Sequence, residues 1–132
     1  MRPQLEGMLE SSLYVDDVTR SRLFYEEIFG FDRIADFGVR GCAMNAGNKH
    51  VLLLFKKSAS RDIESPHDGE GELHIAFAIQ ARELANWEIW LAENGIGIEE
   101  KRSWPAGGRS VYFRDPDRHL LELVTPGTWT IY

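Results

Sequence analysis

The chain of 132 residues has a single cysteine. One thiol excludes an intrachain disulfide framework and a zinc site of the thiolate finger type. Long apolar runs are also lacking. None approaches the roughly 20 residues that a spanning helix needs. The N-terminal stretch Met1-Arg2-Pro3-Gln4-Leu5-Glu6-Gly7 has no apolar signal-peptide core, and a reduced, cytoplasmic compartment is the expectation. Basic residues are in deficit, 15 against 21 acidic, for a net charge of −6. A duplex or an anionic membrane repels such a surface on average, so no nucleic-acid or membrane partner is expected. What the chain does have is core material: 7 Phe, 4 Trp and 4 Tyr, too many for a disordered segment. Its length suits one domain, or two small units that share a core.

Those units are visible as a weak internal repeat. Leu9-Glu10-Ser11-Ser12-Leu13-Tyr14-Val15 matches Leu73-His74-Ile75-Ala76-Phe77-Ala78-Ile79. Both alternate like a strand with one buried face. A helical pattern follows each: Phe24, Ile28 and Phe31 after an N-cap at Asp16 or Asp17, then Leu84, Trp87 and Leu91. Gly30 and Gly95 suit left-handed positions that end the two helices. The period then returns to two. Asp32 to Asp36, Val39 to Met44 and Val51 to Phe55 predict strands in the first half. Ile96 to Lys101, Ser110 to Phe113 and Leu120 to Val124 predict them in the second. Residues 8–57 and 72–128 are thus two modules of one strand, one helix and about three strands. Residues 58–71, rich in Ser, Gly and Pro, read as a polar linker.

Period two also sorts the strand faces. Opposite the apolar residues of the two matching strands stand Glu10 and His74. Glu122 is a lone carboxylate inside Leu120-Leu121-Glu122-Leu123-Val124, a costly placement unless it is paired or bound to a cation. One imidazole and two carboxylates make a divalent-metal set with positions open for water or substrate. The same residues also read as a solvated Glu10, a hydrogen-bonded core His74 and a Glu122 paired with an arginine. His50 and His67 read as solvated, His119 as structural, and Cys42 as a small strand residue.

The segments Leu13-Tyr14-Val15-Asp16-Asp17-Val18, Phe24 to Phe31 and Leu73 to Phe77 resemble the vicinal oxygen chelate superfamily. So, most specifically, does Ser110-Val111-Tyr112-Phe113-Arg114-Asp115-Pro116-Asp117-Arg118-His119-Leu120-Leu121-Glu122-Leu123. That superfamily holds glyoxalase I, fosfomycin-modifying enzymes, extradiol dioxygenases and bleomycin-binding proteins. The resemblance implies an α+β fold of two βαβββ modules, with a curved mixed sheet around a central cleft. It places metal ligands at Glu10, His74 and Glu122. The fourth-ligand position of some members falls at about Leu53, so the set differs from the four-ligand glyoxalase I pattern. Arg118 stands where the family usually has glycine.

The implied activity is that of a glyoxalase-like metalloenzyme, of lyase, isomerase or transferase type. Its divalent ion (Mn²⁺, Fe²⁺, Ni²⁺ or Zn²⁺) binds vicinal oxygens of a small substrate and stabilises an oxyanion. Glu122 is the expected catalytic ligand. Ser12, Trp104, Arg109, Ser110 and Tyr112 are the expected substrate contacts, with Arg102 a looser match. Alternatives from the same resemblance are a metal-free binding protein of the bleomycin-resistance type and a fosfomycin-modifying thiol transferase. The potassium-binding loop and distal arginine of the thiol transferase are not evident. A homodimer is the expected assembly.

Overall fold

Asp17 starts the first helix. Its extended backbone leaves the helix and its carboxylate accepts the Arg20 N–H at 3.0 Å, which satisfies a donor that the first turn leaves open. Asp16 is the wrong neighbour for this, and pairs with Lys57 instead. The structure is a computed structural model that describes residues 1–132. It divides into two compact units, Met1–Glu70 and Gly71–Tyr132.

In the first unit the elements are β1 (Glu10–Val15), α1 (Val18–Phe29), β2 (Asp32–Asp36), β3 (Gly41–Asn45) and β4 (Val51–Lys56). They form one sheet of order β1-β4-β3-β2, with β1 parallel to β4 and the other pairs antiparallel. Gly30 closes α1 at φ 70°, and its N–H bonds back to Glu26. The buried stripe of α1 is Ser21, Tyr25 and Ile28. It is centred on Tyr25 rather than on the expected Phe24, which meets the Tyr25 ring edge-on at 5.1 Å. β3 also begins later than its apolar run predicts. The Asp36 carboxylate accepts the Gly38 N–H at 2.8 Å, Gly38 takes φ 63°, and residues 38–40 make a 3₁₀ turn. Leu9, grouped by alternation with Leu13 and Val15, is exposed because it precedes the strand; Leu13 and Val15 are buried.

Residues 57–70 fold back onto this unit. Tyr14 Oη lies 2.8 Å from Nδ1 of His67, and Ser60 is buried. Gly69 sits against the Tyr14 ring so closely that a Cβ there would collide with it. His67 is therefore an aromatic-cluster residue, 4.7 Å from the Phe55 ring centroid, rather than a solvated one. His50 likewise bonds Ser11 through Nε2 at 3.0 Å.

The second unit repeats the plan with β5 (His74–Ala78), α2 (Leu84–Glu93), β6 (Glu100–Ser103), β7 (Arg109–Arg114) and β8 (Leu120–Val124), in the order β5-β8-β7-β6. Gly95 takes φ 71° after α2, and β6 starts only at Glu100, beyond Gly95 and Gly97. Val111, Phe113, Leu121, Leu123 and Leu91 are buried.

The registers make the repeat quantitative. Glu10 faces Val51 as His74 faces Leu120, and Ser12 faces Leu53 as Ala76 faces Glu122. Leu53 is thus the counterpart of Glu122, and only one module carries a carboxylate there. At the β7–β8 turn the Asp115 carboxylate accepts the N–H groups of Asp117 and His119, each at 2.9 Å. Arg118 adopts φ 65°, the conformation glycine would hold, and its side chain reaches Glu72 at 2.9 Å. His119 is buried, and its Nδ1 accepts the Leu73 N–H at 2.9 Å, a structural role. No helix is long and apolar enough to cross a membrane.

Candidate metal centre

The strand registers of the second unit bring one polar face together. His74, Ala76 and Ala78 of β5 share it with Leu120, Glu122 and Val124 of β8 and with Ser110 and Tyr112 of β7. Ala76, opposite Glu122, is small and leaves the carboxylate uncovered from that side. Glu122 is 7% exposed. Its ion-pair partner is His74, whose Nε2 lies 3.2 Å from Oε1, and not an arginine. The other ring nitrogen, Nδ1, lies 2.9 Å from the Leu120 carbonyl oxygen. A carbonyl only accepts, so Nδ1 carries a proton, and Nε2 is the ring nitrogen turned toward the carboxylate.

At 3.2 Å the pair is satisfied by a proton on Nε2, which makes the ring an imidazolium, or by a bound cation. This donor set fits a divalent ion: an imidazole whose Nδ1–H is held by a backbone carbonyl so that Nε2 is the ligating nitrogen, and a carboxylate with one oxygen held elsewhere. That second oxygen, Oε2, accepts the Ser110 hydroxyl at 2.6 Å. Ser110 in turn accepts the Trp104 indole N–H at 2.8 Å. No three His, Cys, Asp or Glu side chains form a group that could hold a metal ion. The structure brings His74 and Glu122 together, while Glu10 stands exposed at the start of β1 in the first unit.

A cleft of about 650 Å³ opens over the pair, walled by Arg102, Trp104, Tyr112 and Thr128. The Arg102 guanidinium stacks 5.2 Å from the Trp104 ring and 5.6 Å from Tyr112, and one of its nitrogens bonds both Glu100 oxygens at 3.0 and 3.1 Å. Burial, and then the adjacent Glu122 charge, push the Tyr112 phenol up. It stays a neutral donor through the physiological range.

The remaining expected contacts divide. Trp104, Tyr112 and Glu122 line the cleft. Ser110 is buried beneath it. Arg109 is exposed at the start of β7 and is not part of the lining. Ser12 lies opposite Leu53 on β1 of the first unit. Alternation did not single out Arg114, which joins the wall and pairs with Glu99 at 2.9 Å. Its signal was available: it falls on the Tyr112 face two residues along β7.

Comparison with known proteins agrees with this architecture. A family model described as the glyoxalase/bleomycin resistance protein/dioxygenase superfamily matches residues 7–123. The metallothiol transferase FosB of Staphylococcus epidermidis is 32% identical over 123 residues, covering 92% of this chain and 84% of that protein. The fosfomycin resistance protein FosX of Listeria innocua is 33% identical over 120 residues, covering 90% and 89%. Among solved structures, a lactoylglutathione lyase from Agrobacterium tumefaciens superposes with a TM-score of 0.89 at 25% identity, over 97% of this chain and 99% of that one. The chain belongs to the glyoxalase/bleomycin resistance protein/dioxygenase superfamily.

Proposed function

We propose that the chain is a metal-dependent enzyme acting on a small substrate with vicinal oxygens, with His74 and Glu122 as ligands. The carrying observation is the His74–Glu122 pair, whose Nε2 and Oε1 face each other at 3.2 Å on the wall of the cleft. When bound, a divalent ion (Mn²⁺, Fe²⁺, Ni²⁺ or Zn²⁺) supplies Lewis acidity to the substrate oxygens. The chain's own residues do the rest. Tyr112 presents a protonated phenol to an oxygen that gains negative charge. Arg102, fixed between two aromatic rings, offers its remaining N–H groups to an anionic or strongly polar end of the substrate. Trp104 and Thr128 close the sides of the cleft against water. The protein acts as a homodimer in this reading, which sedimentation tests.

Metal content of the purified protein tests the central reading. Stoichiometric divalent metal in the wild type, lost in His74→Ala and in Glu122→Ala, is the expected result. Full metal retention in both variants overturns it. A second reading, thiol transfer to fosfomycin, is favoured by the similarity to FosB. Expression in a fosfomycin-sensitive strain separates it: protection supports this reaction, and no protection leaves the metalloenzyme reading with a different substrate.

A further inference from the structure

Glu122 is held by the Tyr112 hydroxyl, which also bonds Ser110, and from below by two residues in series. Ser110 Oγ donates to Glu122 Oε2 at 2.6 Å, and Trp104 Nε1 donates to Ser110 Oγ at 2.8 Å. A serine hydroxyl carries one proton and two lone pairs. The proton is committed to the carboxylate and one lone pair to the indole. Ser110 is also buried, at 1% exposure. It therefore has no proton left to give to a substrate oxygen.

The indole is itself fixed. The Trp104 backbone N–H bonds the Gly108 carbonyl at 2.7 Å, and its own carbonyl accepts from Gly107 at 2.9 Å. The Arg102 guanidinium stacks on its ring. The indole N–H is a donor only, so it sets the direction of the Ser110 hydroxyl. That direction keeps Oε2 occupied and turns Oε1 toward His74.

We propose that Trp104 is a positioning residue for the metal-ligating carboxylate, acting through Ser110. It selects Oε1 as the single ligating oxygen of Glu122 and removes Ser110 from the substrate contacts. The inference rests on the metal reading above. Its physical basis is that groups behind a ligand fix the orientation in which the ligand binds.

The test is a double-mutant cycle on Mn²⁺ affinity, measured on the full chain by titration calorimetry with Mn²⁺ alone as the probe. Ser110→Ala is expected to weaken Mn²⁺ by about 10-fold or more, the usual effect of losing a direct outer partner. Trp104→Phe is expected to weaken it by about 3- to 10-fold, below that range because it acts one bond further out. Placed in the Ser110→Ala background, Trp104→Phe is expected to add nothing. Replacement of Trp104 by benzothienylalanine, which keeps the shape without the N–H, is expected to match Trp104→Phe.

Equal Mn²⁺ affinity in wild type and Trp104→Phe overturns the proposal, as does a loss in the double variant equal to the product of the singles. A benzothienylalanine protein that binds like wild type overturns it too, because the effect of Trp104 is then packing. A wild type that binds no Mn²⁺ overturns the metal reading and this proposal with it. The relay alone is read in the metal-free protein from the Trp104 indole ¹H–¹⁵N resonance, which is expected to move in Ser110→Ala. A resonance that stays in place shows that the relay is absent.

Discussion

His74 turns Nε2 toward Oε1 of Glu122 at 3.2 Å while its Nδ1 is committed to the Leu120 carbonyl. With the ring neutral, the form that binds a metal, the pair is an acceptor facing an acceptor. The replacement Glu122→Gln separates the two consequences of that arrangement. Its carbonyl can take over the Ser110 bond, and its amide can donate to Nε2. A buried charge disappears and a hydrogen bond forms, which stabilises the metal-free fold by roughly 1 kcal/mol. Metal affinity falls in the same variant. A higher unfolding midpoint without metal, together with loss of the metal-induced rise, is the expected thermal-melt result.

Arg118 occupies a left-handed position at φ 65°. The strain of a side chain there is on the order of 1 kcal/mol. Arg118→Gly and Arg118→Ala both remove the contact with Glu72, but only glycine relieves the backbone. Arg118→Gly is therefore expected to be more stable than Arg118→Ala by about 1 kcal/mol in urea unfolding. Equal stability of the two variants refutes the strain argument.

Arg118 also marks where the sequence is legible and where it is not. The position where the family usually has glycine left the turn type open, and the structure places Arg118 there at positive φ. The strand faces were legible because their period of two is local, and they put His74 and Glu122 on one side of the second sheet. The Phe24 stripe was not, because an apolar spacing of three and four leaves the helix rotation open by one residue; packing around Tyr25 settles it. The tasks of Ser110 and Trp104 were hidden as well. They depend on a five-residue loop, 104–108, that returns an indole to a serine six positions on, and no periodicity encodes a loop's path. His67 reads as solvated because its polar surroundings in sequence say nothing of Tyr14, 53 residues away.

Asp68 gives a pH-dependent outcome. The Ser58 N–H, and next the Arg61 side chain, hold its carboxyl below the ordinary value of 3.8. A carboxylate with a lowered folded value stabilises the fold above its unfolded value, and that contribution is lost as pH falls through the folded one. The turn at Ser58, itself at φ 69°, is expected to open earlier than the sheets on acidification below about pH 3.8. Faster amide exchange at Ser58 in that window, already present at neutral pH in Asp68→Asn, is the signature. An exchange rate identical in wild type and variant removes Asp68 from this role.

Gly108 links the loop to the carboxylate. A Cβ at this position would collide with the Gly127 backbone and the Thr128 hydroxyl, where the Gly108 N–H bonds the Gly127 carbonyl at 3.1 Å. Backbone cannot swing aside as a flexible side chain does, so Gly108→Ala must push the two segments apart. Overpacking of this kind costs about 1–3 kcal/mol. The displaced loop carries Trp104, whose backbone bonds Gly108, and through Trp104 the bond to Ser110. Gly108→Ala is therefore expected to lose stability and to weaken Mn²⁺ in the same direction as Trp104→Phe, although it touches neither ligand. Gly107→Ala is the control. It sits at φ 96° with open space around the added carbon, so it strains its own backbone without driving the loop from Gly127. Its melting temperature should fall while its Mn²⁺ affinity stays close to wild type. Equal losses of Mn²⁺ affinity in the two variants would mean that general loosening of the loop, rather than its contact with Gly127, sets the carboxylate.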